Sequence, residues 1–399
     1  MNEQKDALPL AGIRVLELGH AVMGPTCGLI LADLGAEVIK VEKNPDGEDA
    51  RRLTGFGAGL FAYFNRNKAS LALDLKSEPG RGVLRRLVEN SDVLVENFAP
   101  GAMDRLGFGW EDCRAMNPRL IYCSLKGFLP GPHENRPALD EAAQMMSGLA
   151  YMTGPSGRPL RAGASVVDIM GGTFGAVGIL TALYNRARTG RGEYVRSALF
   201  EAAVFLVGQH LAAQAVTGEA PPPLPERGRA WSVYDLFPTS DGDQIFLGAT
   251  SDAHWRSLCR TFGFEDLARD PRLSTNNQRV GERGWLLPEL GKRLARLTKD
   301  EIMTLAEKAK IPFAPAAKPE DLLRDRHLEQ SGGLVETTLA DGRKARLPKI
   351  PLMLGQRAFE LRSDPPAVGR GTAALLESLG FSRDEINDLR RQGVLTAGD

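Results

Sequence analysis

The chain has 399 residues, with 50 basic against 50 acidic side chains, five histidines and four cysteines. A single hydrophobic core stops growing at roughly 250 to 300 residues, so two domains are expected, and the balanced charge gives no sign of binding to nucleic acid or to a membrane. Cys27, Cys113, Cys123 and Cys259 form no C-x-x-C pair and have no histidines at metal spacing, which suggests reduced thiols, a cytoplasmic location and no metal centre. The segment MNEQKDALPL lacks the basic and apolar regions of a leader, and no uninterrupted apolar run approaches about 18 residues, so a soluble protein is expected.

In chain order, IRVLELG reads as a strand, CGLILADLG as a helix and AEVIKVE as a strand, a βαβ unit. Glu42, at the end of the second strand, lies about where a dinucleotide site keeps its ribose-binding acid. The intervening GHAVMGPTCG has no G-x-G-x-x-G, however, and Pro25 stands where backbone N–H groups would meet a pyrophosphate, so no nicotinamide cofactor is expected. The alternation continues through LALDL, GRGVLRRLVEN, DVLVEN, RLGFGWEDCRAMN and RLIYCSLKG. Such a pattern gives an α/β fold with a mostly parallel sheet, whose ligands gather at the carboxyl ends of the strands. Those ends are Gly19-His20, Glu42-Lys43, Asn97-Phe98 and Lys126-Gly127.

The stretch RAGASVVDIMGGTFGAVGILTALYNRARTGR places Asp168 just before, or within, the first turn of a helix. Phe174, Val177, Thr181 and Tyr184 have the spacing of one helix face. Position alone makes Asp168 a helix cap, in a place where free N–H groups and the positive end of the helix dipole gather. GEYVRSALFEAAVFLVGQHLAAQAVTG then reads as a strand running into a second apolar helix, which fades at Gly218. EAPPPLPERGRA, residues 219–230, is too rich in proline for regular structure and reads as a linker. A smaller unit follows, with a hairpin at Asp241-Gly242 and helices in SDAHWRSLCRTFG, RVGERGWLLPELGKRLARL and TKDEIMTLAEKAK. Pro312 and Pro315 are expected to close it, ahead of another turn at Asp341-Gly342 and two short terminal helices.

There is no G-x-S-x-G elbow, no H-E-x-x-H and no phosphate-binding G-x-x-x-x-G-K-[ST], and the histidines are scattered. Carboxylates remain, among them Asp168, Asp140, Glu141, Asp33 and Glu42, together with isolated basic residues. Arg66 and Lys68 before a strand, and Arg105 after a strand-ending loop, are either surface charges or holders of a phosphorylated ligand.

Five stretches in this order, LAGIRVLELGHAVMGPTCGLILADLGAEVIKVEK, FNRNKASLALDLKS, DVLVENFAPGAMDRLG, NPRLIYCSLKGF and RAGASVVDIMGG, resemble the class III CoA-transferases, the family of formyl-CoA and carnitine-CoA transferases. The likeness covers nearly the whole chain. It implies a Rossmann-like large domain with a smaller α+β domain, and a ring-shaped subunit in an interlocked homodimer. With the linker read from composition, the expected division is 1–218 for the first part of the large domain, 219–230 for the linker, 231–330 for the small domain, and 331–399 for the return linker and the rest of the large domain. The resemblance also implies a catalytic Asp168, with coenzyme A as substrate thioester held near His20, Lys43, Arg66, Ala99 to Met103, Arg105 and Lys126. A carboxylate that attacks a thioester needs no general base, which fits the lack of a neighbouring His or Lys. The small residues Gly163, Ala164, Gly171 and Gly172 around Asp168 are expected to leave room for the acyl group.

The α-methylacyl-CoA racemases resemble the chain as well, but their proton-transfer histidine is replaced by Leu139 before Asp140. Leu139 also departs from the Tyr of many transferases, and Val22 stands where formyl-CoA enzymes carry Gln. These two positions belong to the expected substrate pocket. Arg136 and Arg161 are placed to face a second carboxylate, which favours a small dicarboxylic acceptor such as oxalate or succinate. A CoA-binding subunit without turnover is the remaining alternative.

Overall fold

The alternation of the first half becomes one sheet in the computed structural model, which describes residues 7–226 and 230–396. Residues 1–6, which begin the segment read for a leader, residues 227–229 of the expected linker, and the last three residues lie outside the described residues. Contacts divide the chain into two units, one of Met1–Glu226 with Ser331–Asp399 and one of Arg227–Gln330.

The first unit contains β1 (Arg14–Leu18), α1 (Met23–Asp33), β2 (Glu37–Lys43), α2 (Leu60–Phe64), β3 (Lys68–Leu73), α3 (Glu78–Glu89), β4 (Val93–Glu96), α4 (Ala102–Leu106), α5 (Trp110–Met116), β5 (Ile121–Lys126), α6 (Asp140–Met146), α7 (Leu149–Thr153), α8 (Val166–Thr189), β6 (Tyr194–Ala198) and α9 (Leu199–Thr217). The segment RLGFGWEDCRAMN, expected as one helix, contributes to two, because Gly107 adopts a left-handed conformation that ends α4. All six strands run parallel in the order β3-β2-β1-β4-β5-β6. This is the doubly wound order, and its reversal between β1 and β4 opens a crevice at their carboxyl ends. One face of the sheet is covered by α1 and α8, with Val15, Val38, Val93 and Ile121 buried beneath them. The other face carries α3 and α5 together with Leu375, Leu376, Ile386 and Leu395 from the end of the chain.

The α8 face set out by Phe174, Val177, Thr181 and Tyr184 points away from the core. Phe174, Val177 and Tyr184 are exposed, and the helix turns its glycines inward instead. A Cβ on Gly172 would stand 2.5 Å from the carbonyl oxygen of Met23, and one on Gly175 would stand 2.7 Å from Leu125. Gly171 and Gly172 therefore serve the close approach of α8 to α1. By length and composition α8 and α9 are each long and apolar enough to cross a bilayer, a test that the core helices of other folds also pass. In the fold, the glycine face of α8 packs on α1 and on β5.

The second unit folds around β7 (Val233–Pro238), β8 (Gln244–Ala249), α10 (Asp252–Phe262), α11 (Glu265–Arg269), α12 (Asn276–Gly281), α13 (Arg283–Leu294), α14 (Lys299–Ala309), β9 (Phe313–Pro315) and α15 (Arg326–Gln330). The expected hairpin turns at Gly242, whose φ is 82°. The stretch expected as one long helix breaks at Glu282 into α12 and α13. Pro315 does not close the unit, since it ends an edge strand paired with β8, where a residue without an N–H is tolerated. The return segment holds the hairpin of β10 (Leu334–Thr338) and β11 (Lys344–Pro348), then β12 (Met353–Leu354), β13 (Arg357–Ala358), α16 (Thr372–Ser378) and α17 (Arg383–Arg391).

Candidate active site

A cavity of about 430 Å³ opens at the crevice between β1 and β4. Of the expected site residues, His20, Val22, Ala99, Lys126, Arg136, Leu139, Arg161 and Asp168 line it, together with the strand ends Asn97, Phe98 and Gly127 and the carboxylates Asp140 and Glu141. The turn at its floor is tightly held. The His20 N–H donates to Asn97 Oδ1 at 2.8 Å, and Asn97 Nδ2 donates back to the His20 carbonyl at 3.0 Å. Ala21 has a φ of 61°, and its N–H donates to Glu48 Oε1 at 2.6 Å. Left-handed backbone at a residue with a Cβ is costly and persists only where its surroundings impose it. Lys40 supplies part of that support, reaching the Gly19 carbonyl at 2.8 Å while pairing with Glu48 at 2.5 Å and Glu17 at 3.1 Å. Beyond the turn, the N–H groups of Val22, Met23 and Gly24 have no acceptor among the described residues.

Asp168 occupies the third position of α8 and points into the cavity. It is not the cap of its helix. That role belongs to Asp140, whose Oδ2 accepts the N–H groups of Val167 at 2.9 Å and Asp168 at 3.1 Å. The other oxygen of Asp140 accepts from Gln144 at 2.6 Å and from Arg161 at 3.4 Å, and Gln144 in turn holds the Ala162 N–H at 2.8 Å. The Asp168 carboxylate has no hydrogen-bond or ion-pair partner among the described residues. Its pKa is pushed up from an ordinary 3.8 to about 7, first by burial and then by the neighbouring Asp140 charge, with Arg161 pulling the other way. A carboxylate so placed is a stronger nucleophile than a solvated one and still ionises near neutral pH.

Four expected ligand-binding residues do not reach this cavity. Arg66 is buried against Asp33 at 2.7 Å and donates to the Pro348 carbonyl at 2.9 Å, so it ties α1 to the return segment. Lys43 pairs with Asp49 at 2.5 Å on the surface. Met103, on α4, is buried in the core and lines a separate hollow, and Arg105 is exposed outside both. Val22 lies at the cavity wall, but it is buried with Leu29 and Phe64 and offers little side-chain surface. Glu42, weighed as a ribose acid, is occupied by Arg51 at 2.6 Å and Ser70 at 2.6 Å. Sequence reasoning named Asn97 only as a strand end and assigned no role to Glu48 or Phe56, although Phe56 stands among the glycines of TGFGAG, a recognisable sign of a ligand-facing loop.

The CoA-transferase family III model matches residues 10–372. The chain belongs to CoA-transferase family III. It is 32% identical to a succinate–glutarate CoA-transferase of Agrobacterium fabrum, covering 93% of this chain and 96% of that one. It is 36% identical to an acetyl-CoA:oxalate CoA-transferase of Acetobacter aceti, over 82% of this chain and 87% of the relative. Among solved structures, a CaiB/BaiF family protein from Brucella suis superimposes with a TM-score of 0.85 at 32% identity, covering 94% of this chain and all of the other. Membership in family III makes the protein a transferase that acts on CoA thioesters.

Proposed function

We propose that the protein moves CoA from an acyl-CoA thioester to a small carboxylic acid, with a dicarboxylate as the favoured acceptor and Asp168 as the covalent nucleophile. The observation that carries this reading is the unpartnered Asp168 carboxylate in the family III cavity, with its pKa raised to about 7. An Asp168 oxygen attacks the acyl carbonyl carbon, the carbon–sulfur bond breaks, and CoA thiolate leaves an acyl–aspartyl anhydride. The thiolate then attacks the aspartyl carbonyl, releasing the first acid and forming an aspartyl-CoA thioester. The acceptor carboxylate displaces the thiolate from that thioester to give a second anhydride. Attack of the thiolate on the new acyl carbonyl yields product and restores Asp168. Protons balance without a general base.

The N–H groups at the start of α8 are taken by Asp140, so they do not serve the oxyanion of these steps. We assign that role to the free N–H groups of Val22 and Met23 at the start of α1, which lines the same cavity. His20, Ala99 and Lys126 are the lining residues proposed to contact CoA. Proton transfer of the racemase kind finds no support here, because Asp140 is committed through both oxygens. We further propose that the protein is a cytoplasmic homodimer, interlocked as the resemblance implies. The exposed apolar side chains of α8 and α9, among them Val177, Tyr184, Phe205 and Leu211, support an association of chains.

The test is intact mass measurement with hydroxylamine trapping after incubation with acetyl-, formyl- and succinyl-CoA. An adduct at Asp168 that is lost in Asp168→Ala is expected. Normal transfer by Asp168→Ala would refute the mechanism.

A further inference from the structure

Three cationic side chains line the cavity, and they differ in what they already hold. Lys126 donates to Glu96 at 2.6 Å and to the Phe98 carbonyl at 2.6 Å. Arg161 is spread over Asp140 at 3.4 Å, Glu141 at 3.8 Å and the carbonyls of Ala162 and Ala164, with its guanidinium 5.9 Å from the Phe56 ring. The Arg136 guanidinium has no acceptor among the described residues. Its backbone is nonetheless fixed. The Arg136 N–H donates to the His133 carbonyl at 2.8 Å, and the His133 ring lies 5.4 Å from that of Phe128. A Cβ on Gly127 would fall 2.5 Å from that of Ala138, so both ends of the loop are held at the end of β5. The loop thus presents one uncommitted guanidinium at the wall of a cavity whose other charges are an unpaired carboxylate and internally satisfied pairs. Two large apolar side chains of the same wall, Leu139 at 76% and Phe56 at 75%, stand exposed among the described residues.

We infer that Arg136, and not Arg161, receives the second carboxylate of the acceptor acid, and that this acid is a dicarboxylate with a methylene spacer. The fork of an arginine matches a carboxylate bidentately, and only an arginine free of other acids has that fork to offer. Methylene groups covering Leu139 and Phe56 gain from leaving water, and oxalate has none to contribute. Arg161 acts elsewhere, on Asp140 and through it on the start of α8. The inference rests on the transferase reading of Asp168 and adds the group that selects the acid.

The experiment compares wild type, Arg136→Met and Arg136→Lys with succinate, oxalate and propionate as acceptors and a single acyl-CoA donor. Wild type is expected to prefer succinate to both other acids. In Arg136→Met the succinate-to-propionate ratio of kcat/KM falls about 10-fold or more, carried by the KM for succinate, as loss of a charge-assisted pair requires. Arg136→Lys recovers part of it, as a point charge without the fork. An unchanged ratio overturns the inference. So does a loss in affinity for the acyl-CoA that is equal for all three acids, which would assign Arg136 to the phosphates of CoA. Preference for oxalate in wild type overturns the spacer. Succinate binding by calorimetry gives a readout independent of turnover: it weakens in Arg136→Met if the inference holds, and equal binding by both proteins refutes it. Failure of every acid to react in wild type, with no adduct at Asp168, refutes the transferase reading separately.

Discussion

The helices that begin at Asp140 and at Val166 each carry an aspartate in their first turn, and the two carboxylates meet opposite fates. Asp140 is buried and saturated, taking two N–H groups of α8, the amide of Gln144 and the edge of Arg161. Asp168, whose own N–H is one of those held, has a carboxylate with no hydrogen-bond or ion-pair partner among the described residues. One residue type at one helix end therefore serves two ends: a fixed charge that builds the site and a free charge that reacts. The difference lies in what surrounds each group, because a carboxylate given donors is stabilised as an anion, while one denied them in a buried place is raised in energy and in pKa.

Several substitutions break or sharpen this contrast. The largest effect belongs to Asp168→Ala, which is expected to lower transfer by roughly 10³-fold or more and to abolish the trapped adduct. Gly172→Ala, which drives a Cβ into the Met23 carbonyl, tests whether the start of α8 must lie this close to α1; it is expected to cost about 1–3 kcal/mol in denaturant unfolding. Asp140→Ala removes the cap and should cost ~1–2 kcal/mol by the same measurement, with a fall in kcat. If neither changes, Asp140 does not build the site. Asp168→Asn sharpens the energetic side. A carboxyl whose folded-state pKa is raised stabilises the fold only while protonated, so the Asn variant should be the more stable protein above about pH 7. A gain of ~1 kcal/mol is expected, discounted because the carboxylate opens onto the cavity. The gain should shrink as pH falls through about 7 and vanish below the ordinary value of 3.8. The smallest effects are shifts in the pH dependence of adduct formation, which rises in wild type as Asp168 ionises near pH 7. Asp140→Asn moves that limb to lower pH, though not to the ordinary carboxylate range, because burial is the larger cause. Arg161→Met moves it to higher pH, since the guanidinium holds the Asp168 pKa down.

The parallel sheet and its loop ends were legible in the chain because strand and helix patterns are local, and RVLEL, EVIKVEK and IYCSLK carry theirs within a few residues. The candidate nucleophile came from the resemblance, since the missing motifs left several carboxylates and position alone made Asp168 a cap. The fate of each charge was not legible. FNRNKAS looks like a ligand-binding turn, but Arg66 meets Asp33, Lys68 meets Glu17 at 2.6 Å, and Asn67 receives the N–H groups of Arg362 and Ser363. Those partners lie tens to hundreds of positions away along the chain, and no spacing rule reaches them. Periodicity revealed α8 as a helix but not which face it buries: the closest helix contact uses the glycine face, which has no large side chains for a periodicity to show.

By itself, then, the amino-acid order indicated the strands of the large sheet and most of the helices between them, a mostly parallel sheet, and Asp168 at a helix start among motifs in family order. These follow from local backbone preference and short-range pattern. Only the tertiary structure decided that Asp140 caps the helix of Asp168, that Arg66 is sealed in the core, and that the Arg136 guanidinium meets no acceptor among the described residues. Ionic pairing and burial depend on proximity in space, and proximity in space is what a linear pattern does not carry.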